Sequence, residues 1–77
     1  MAISFRKNLA VVSDTLGVED ADALLEWLQK QAKGKIDLSA CTHLHCANLQ
    51  VLMALRPSIH AWPTYPPLAR WLQAALL

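Results

Sequence analysis

The first half of the chain alternates apolar and polar positions in a way that predicts a β-hairpin and then an amphipathic helix. Strand periodicity over residues 2–6 and a β-branched apolar run over 8–13 indicate the two strands of the hairpin. Over 18–33 the apolar side chains recur at helical spacing. They are Ala21, Leu24, Leu25, Leu28 and Ala32. Acidic residues open this segment and lysines close it, which the helix dipole favours.

A second strand and helix follow. Ile36 and Leu38 alternate with polar neighbours, which predicts a short strand over 35–39. A polar loop over 40–44 and a helix from about His45 to Leu55 come next. The helix is apolar on nearly all sides, so we expect it to be buried on more than one face.

The end of the chain predicts one more strand and helix. Residues 58–62 are typical of an edge strand, and 63–67 form a proline-rich turn that begins the last helix. The resulting order is ββαβαβα. Because a helix between strands favours parallel pairing, we expect an α/β fold in which helices pack on a mixed sheet of about four strands. Residues 1–77 form one domain at most.

The composition is unusually apolar for so short a chain. Hydrophobic residues make up 55% and charged residues 17%, against about 45–50% and 25% in average soluble domains. A small domain cannot bury this excess, so we expect an apolar face that meets a protein partner or a second copy. Trp62 and Trp71 are candidates for that face or for the core. The net charge of +1 and scattered basic residues favour no nucleic-acid partner.

The sequence also predicts a cytoplasmic location. Its first residues lack a basic segment followed by an apolar run, and no apolar stretch reaches the ~18 residues of a membrane span. We therefore expect no membrane partner, and reduced thiols rather than a disulfide.

Four residues around the predicted loop are candidates for metal or redox chemistry. Cys41, His43, His45 and Cys46 carry ligands that suit zinc or copper, and His60 would complete such a site. Their close spacing disfavours convergence on one tetrahedral centre. The alternative is that Cys41 is a small buried hydrophobe and the histidines are loop residues. We expect no metal and no cofactor.

Catalysis is a further alternative at the same place. Cys46 at a helix start is a candidate nucleophile with His43 or His45 as its base, but no third, orienting group is present. Asp37 is a candidate site carboxylate, although a role in binding loop amides is favoured. We therefore expect no enzyme.

Residues 36–55 resemble the STAS domain, the fold of bacterial anti-anti-sigma factors. Asp37-Leu38-Ser39 matches the family's strand end. The apolar helix matches in register, at Leu49, Val51, Leu52, Ala54 and Leu55. The order of the other elements also follows the family. The resemblance implies a STAS-like fold and a role in binding proteins that regulate transcription.

The departures from the family pattern lie at the helix start. The family's junction Asp falls on His45, the first hydroxyl residue on Cys46 and the Gly on Asn48. The Ser or Thr that partner kinases phosphorylate falls on Ala47, which has no hydroxyl. We therefore expect no phosphorylation switch at this position.

The function that these observations favour is a non-enzymatic, protein-binding module in bacterial regulation. The expected docking surface lies around residues 42–50. Its residues are His43, His45, Cys46, Ala47, Asn48 and Gln50. The resemblance implies a kinase-type anti-sigma factor as the partner, and self-association is the other expectation. The alternatives are a small Cys/His metal or redox module and a structural homodimer.

Overall fold

The predicted order of elements is confirmed. A computed structural model describes residues 3–31 and 33–77, so the predictions made for Ala2 and Ala32 lie outside the described residues. The strands are β1 (Ile3–Phe5), β2 (Leu9–Leu16), β3 (Lys35–Leu44) and β4 (Ser58–Ala61). The helices are α1 (Ala21–Lys30), α2 (Cys46–Leu55) and α3 (Pro66–Leu76), with a short 3₁₀ helix at Val18–Asp20.

The four strands form one mixed sheet in the order β1-β2-β3-β4. β1 is antiparallel to β2, whereas β2, β3 and β4 run parallel. Leucines from all three helices join the inward side chains of the strands in a single core, which places the helices against one face of the sheet. Within this layer α2 contacts both α1 and α3.

The helix predicted over 18–33 is shorter than expected at both ends. A 3₁₀ helix occupies its start, where the Asp20 carboxylate accepts a hydrogen bond from the Gly17 amide over 3.0 Å. At the other end Gln31 leaves the helical conformation, with φ −107° and ψ 87°. Gly34 then packs against the Trp27 ring so closely that an added Cβ would lie 2.9 Å from a ring carbon. The chain must leave the helix before Gly34 to make this approach.

The predicted loop over 40–44 is wrong, because these residues continue β3. Strand β2 also extends to Leu16, three residues beyond its predicted end, and pairs with β3 as far as Leu44. The two longest strands of the sheet therefore lie side by side and carry the chain to the start of α2.

Two irregularities in β3 explain why its second half was not predicted. Val11 of β2 pairs with Asp37 of β3, and Ser13 pairs with Ala40. Between these two pairs β2 advances by two residues and β3 by three, so β3 contains one extra residue here. A second extra residue lies before His43. These bulges shift the inward positions, which are Ile36, Leu38, Cys41 and Leu44. Because they fall two, three and three residues apart, the strand period of two is lost.

The expectation that α2 is buried on more than one face is wrong for this chain. Asn48 and Leu52 are buried and their neighbours Leu49 and Val51 partly so, while Met53 is 43% exposed. The helix lies between α1 and α3 on the sheet, and nothing in the described part of the chain covers its outer side. Apolar side chains there remain at the surface.

The helices are short. None in the described ranges 3–31 and 33–77 is long and apolar enough to cross a membrane.

Arg56 ends α2 in the left-handed conformation, with φ 45°, and its guanidinium donates to the Leu76 carbonyl oxygen over 3.1 Å. This bond ties the end of α2 to the end of α3.

Candidate functional site

The junction between β3 and α2 is organised by His45. Its backbone is extended, and its Nδ1 atom accepts a hydrogen bond from the Ala47 amide over 3.0 Å. An imidazole nitrogen thus satisfies one of the free N–H groups of the first helical turn, a role more often filled by Ser, Thr, Asp or Asn. Accepting this bond requires an Nδ1 atom without a proton.

The Cys46 thiol lies beside the imidazole that the sequence offers as its base. It is exposed, and its sulfur lies 3.9 Å from His45 Nδ1. That nitrogen already accepts the Ala47 amide, so the ring is oriented for capping rather than for taking a proton from sulfur. The described residues place no third group that would orient the imidazole as a base.

Cys41 lies on the opposite side of the strand from the exposed groups. It is 1% exposed, and its thiol donates to the His43 carbonyl oxygen over 3.3 Å. Burial raises the pKa of this thiol. The interpretation of Cys41 as a small buried hydrophobe is confirmed.

The four Cys and His candidates do not converge. Cys41 faces the core, whereas His43, His45 and Cys46 are exposed. His60 lies on β4, also exposed. Within residues 3–31 and 33–77, no three His, Cys, Asp or Glu side chains are grouped so as to hold a metal ion.

Asn48 is the one predicted docking residue that the structure places in the interior. Its side chain is 0% exposed and donates to the carbonyl oxygens of Leu16, over 3.3 Å, and Gly17, over 2.7 Å. Its Oδ1 atom is buried without a hydrogen-bond partner among the described residues. The expectation that Asn48 contacts a partner is therefore corrected: it is a structural link between α2 and the end of β2.

The other five predicted residues lie at the surface of the junction and of the first half of α2. His43, His45, Cys46 and Gln50 are exposed and Ala47 is half-buried. The surface continues along the outer side of α2 to Met53. No residue of Cys46–Leu55 is charged, so α2 presents only apolar and neutral polar side chains.

An open groove of about 300 Å³ lies beside this surface, between β3 and α3. It is lined by Thr42, His43, Leu44, Tyr65, Pro67, Leu68 and Trp71. Trp71 is 44% exposed there. Sequence reasoning singled out Trp71 as an interface candidate but missed the groove, because the strand that forms its other wall was taken for a loop.

Asp37 stabilises the first bulge of β3. Its Oδ1 atom accepts from the Ser39 amide over 2.9 Å and from the Ser39 hydroxyl over 2.7 Å. The amide and then the hydroxyl lower the pKa of this carboxyl. Asp37 does bind a backbone amide, as favoured from the sequence, although that amide belongs to the strand and not to a loop.

Comparison of the chain with models of known protein families and with curated proteins finds no match. The likeness of residues 36–55 to the STAS domain therefore stays a prediction. It depends on the Asp37-Leu38-Ser39 strand end, on the apolar pattern of α2 and on the element order.

Proposed function

We propose that this protein is a non-enzymatic, protein-binding module of bacterial regulation that resembles a STAS-type anti-anti-sigma factor and works in the cytoplasm. It docks its partner through the surface formed by His43, His45, Cys46, Ala47 and Gln50. The observation that carries the proposal is the uncharged, exposed surface at the β3–α2 junction, which continues onto apolar side chains of α2.

The chemistry of this surface suits a protein better than a small substrate. Charged residues are depleted at the centres of protein interfaces, and apolar patches on small domains mark such contacts. The junction helix carries no charged side chain from Cys46 to Leu55. A partner that covered it would gain by removing Met53 and its neighbours from water.

Docking in this proposal is not switched by phosphorylation of the junction helix. Ala47 stands where the STAS family carries its phosphorylated Ser or Thr, and its amide is held by the His45 cap. The module is constitutive, or it is regulated by another means. The partner implied by the resemblance is a kinase-type anti-sigma factor.

The test is direct binding to the purified kinase-type anti-sigma proteins of the same genome. Calorimetry of Gln50→Arg should show lost affinity, because a guanidinium would enter an uncharged interface. Gln29→Arg is the matched control, since Gln29 is also an exposed helical glutamine but lies on α1. Failure of every such protein to bind, with no change in the amide NMR signals of 43–50, would remove the basis of the proposal.

A structural homodimer is the second candidate. The exposure of Met53, Leu55 and Trp71 favours it, because apolar helix faces of this kind are covered in obligate dimers. Light scattering should then give twice the monomer mass of 8.5 kDa. Met53→Lys should restore the monomer, whereas Val18→Lys, at an exposed apolar site outside α2, should not. A monomer at millimolar concentration contradicts this candidate.

A further inference from the structure

The second half of β3 has a strand on one side only. β2 pairs with β3 as far as Leu44, but the pairs between β3 and β4 end at Asp37. Just beyond, the Thr64 amide and hydroxyl donate to the Ser39 carbonyl oxygen, over 3.3 and 2.9 Å. No strand of the described ranges pairs with residues 40–44 on this side, so the sheet has a free edge there.

This free edge forms one wall of the groove described above. Thr42, His43 and Leu44 line the groove from β3, and it is also lined by Trp71 of α3 and by Tyr65, which directly precedes α3. Its volume of about 300 Å³ is at the lower end of the ~300–1,000 Å³ typical of small-molecule sites. An open groove of this size accommodates a side chain more readily than a cofactor.

We propose that an extended segment of a protein partner adds to the sheet along residues 40–44 and places an uncharged apolar side chain in the groove beside Trp71. This inference rests on the proposed protein-binding function and specifies how the partner is held. The backbone of the segment pairs with the free edge of β3, and its inserted side chain provides the selectivity.

The free edge of β3 and the uncharged groove together indicate which kind of partner segment binds here. An unpaired strand edge offers backbone N–H and C=O groups, which an extended chain can satisfy and a helix, whose own groups are internally bonded, cannot. None of the groove residues carries a fixed charge. A charged side chain in the groove would lose its hydration without gaining an opposite charge, so the inserted residue is apolar.

The test uses random dodecapeptides displayed on phage and selected against the full chain. Selected peptides should share an apolar residue, and binding should slow the hydrogen exchange of amides within 40–44 and shift the Trp71 indole signal. Methylating peptide nitrogens one at a time should weaken binding at alternate positions, because alternate N–H groups of an added strand face its neighbour.

Two variants locate the inserted side chain. Trp71→Ala should weaken binding of the selected peptides by at least about tenfold, since a truncated Trp anchor at an interface commonly costs that much. Val18→Ala is the control, because Val18 is an exposed apolar side chain that lies outside both the groove and the docking surface. The control variant should bind the selected peptides with the affinity of the unchanged protein.

The strand-addition proposal is overturned if no peptide is enriched, or if methylation shows no alternate pattern. It is also overturned if bound peptides protect amides outside 40–44, or if a second copy of this chain occupies the edge instead. A regulatory protein that binds the junction and is sensitive to Gln50→Arg, but leaves the β3 amides unprotected, would overturn this inference alone and leave the proposed function standing.

Discussion

The side-chain amide of Asn48 donates to the Gly17 carbonyl oxygen over 2.7 Å and thereby joins the first turn of α2 to the end of β2. The two residues are 31 positions apart in the sequence. The same amide reaches the Leu16 carbonyl oxygen, which also accepts from the His45 amide over 2.9 Å. The start of α2 is therefore fixed to the sheet by polar bonds as well as by the core.

Replacing Asn48 with Ala should lower the free energy of unfolding by about 1–3 kcal/mol, because the variant loses one buried and one partly buried hydrogen bond and leaves a space in the core. Urea denaturation measures the change. Gln50→Ala, at an exposed position of the same helix, should stay within about 0.5 kcal/mol of the unchanged protein. Equal losses in both variants would contradict the structural role of Asn48.

The two thiols should differ sharply in their reaction with a disulfide reagent. Cys46 is exposed and should react in the native protein. Cys41 is buried, and burial raises the pKa of its thiol, so it should react only when the protein unfolds. A spectrophotometric titration should therefore count one thiol before urea is added and two afterwards. Cys46→Ser should abolish the native reaction, and rapid reaction of both thiols would show that Cys41 is not buried.

Gly34→Ala should destabilise the protein by about 1–3 kcal/mol through overpacking. The new methyl group would lie 2.9 Å from a Trp27 ring carbon and 3.1 Å from the Gln31 carbonyl oxygen, and the backbone atom cannot easily move. Gly17→Ala is the control, since the three atoms nearest its methyl group would be those of the Glu19 carboxylate, at the end of a flexible, exposed side chain. Thermal unfolding should show a lower Tm for the first variant only.

Asp37 should contribute to stability in a pH-dependent way. Because hydrogen bonds from Ser39 lower the pKa of the folded carboxyl, its contribution is fully present above the unfolded pKa of about 3.9. The contribution is lost as the pH falls through the lower, folded value. The difference in unfolding free energy between the protein and Asp37→Asn should shrink as the pH is lowered from 6 towards 2. A constant difference across this range would exclude the carboxylate as its source.

The regular parts of the fold could be predicted because each has an uninterrupted period. The stripe around Leu24 and Leu28 identified the core face of α1, and alternation at Ile36 and Leu38 identified the first half of β3. The element order then predicted a mixed sheet of four strands. Each of these patterns arises within a single element that buries one face. The spacing of its apolar residues is therefore visible in the sequence.

The remaining features depend on contacts between distant segments. The bulges of β3 become visible only when it is aligned with β2, so Cys41 and Leu44 did not fit a strand pattern. Asn48 resembled a surface residue because its partners lie at the end of a strand far away in sequence. The exposure of Met53 could not be predicted from the sequence of α2 either. An apolar helix has the same sequence whether or not another element covers its outer side.

The core does not need the two extra residues of β3. If one residue were deleted between Leu38 and Cys41, and another between Cys41 and Leu44, all four inward side chains would fall at alternate positions of a regular strand. The shortened strand would fill the same interior. The additional chain length therefore changes which residues of β3 point outward, and one of them, Thr42, lines the groove. Paired one-residue deletions would separate the requirements of folding from those of binding.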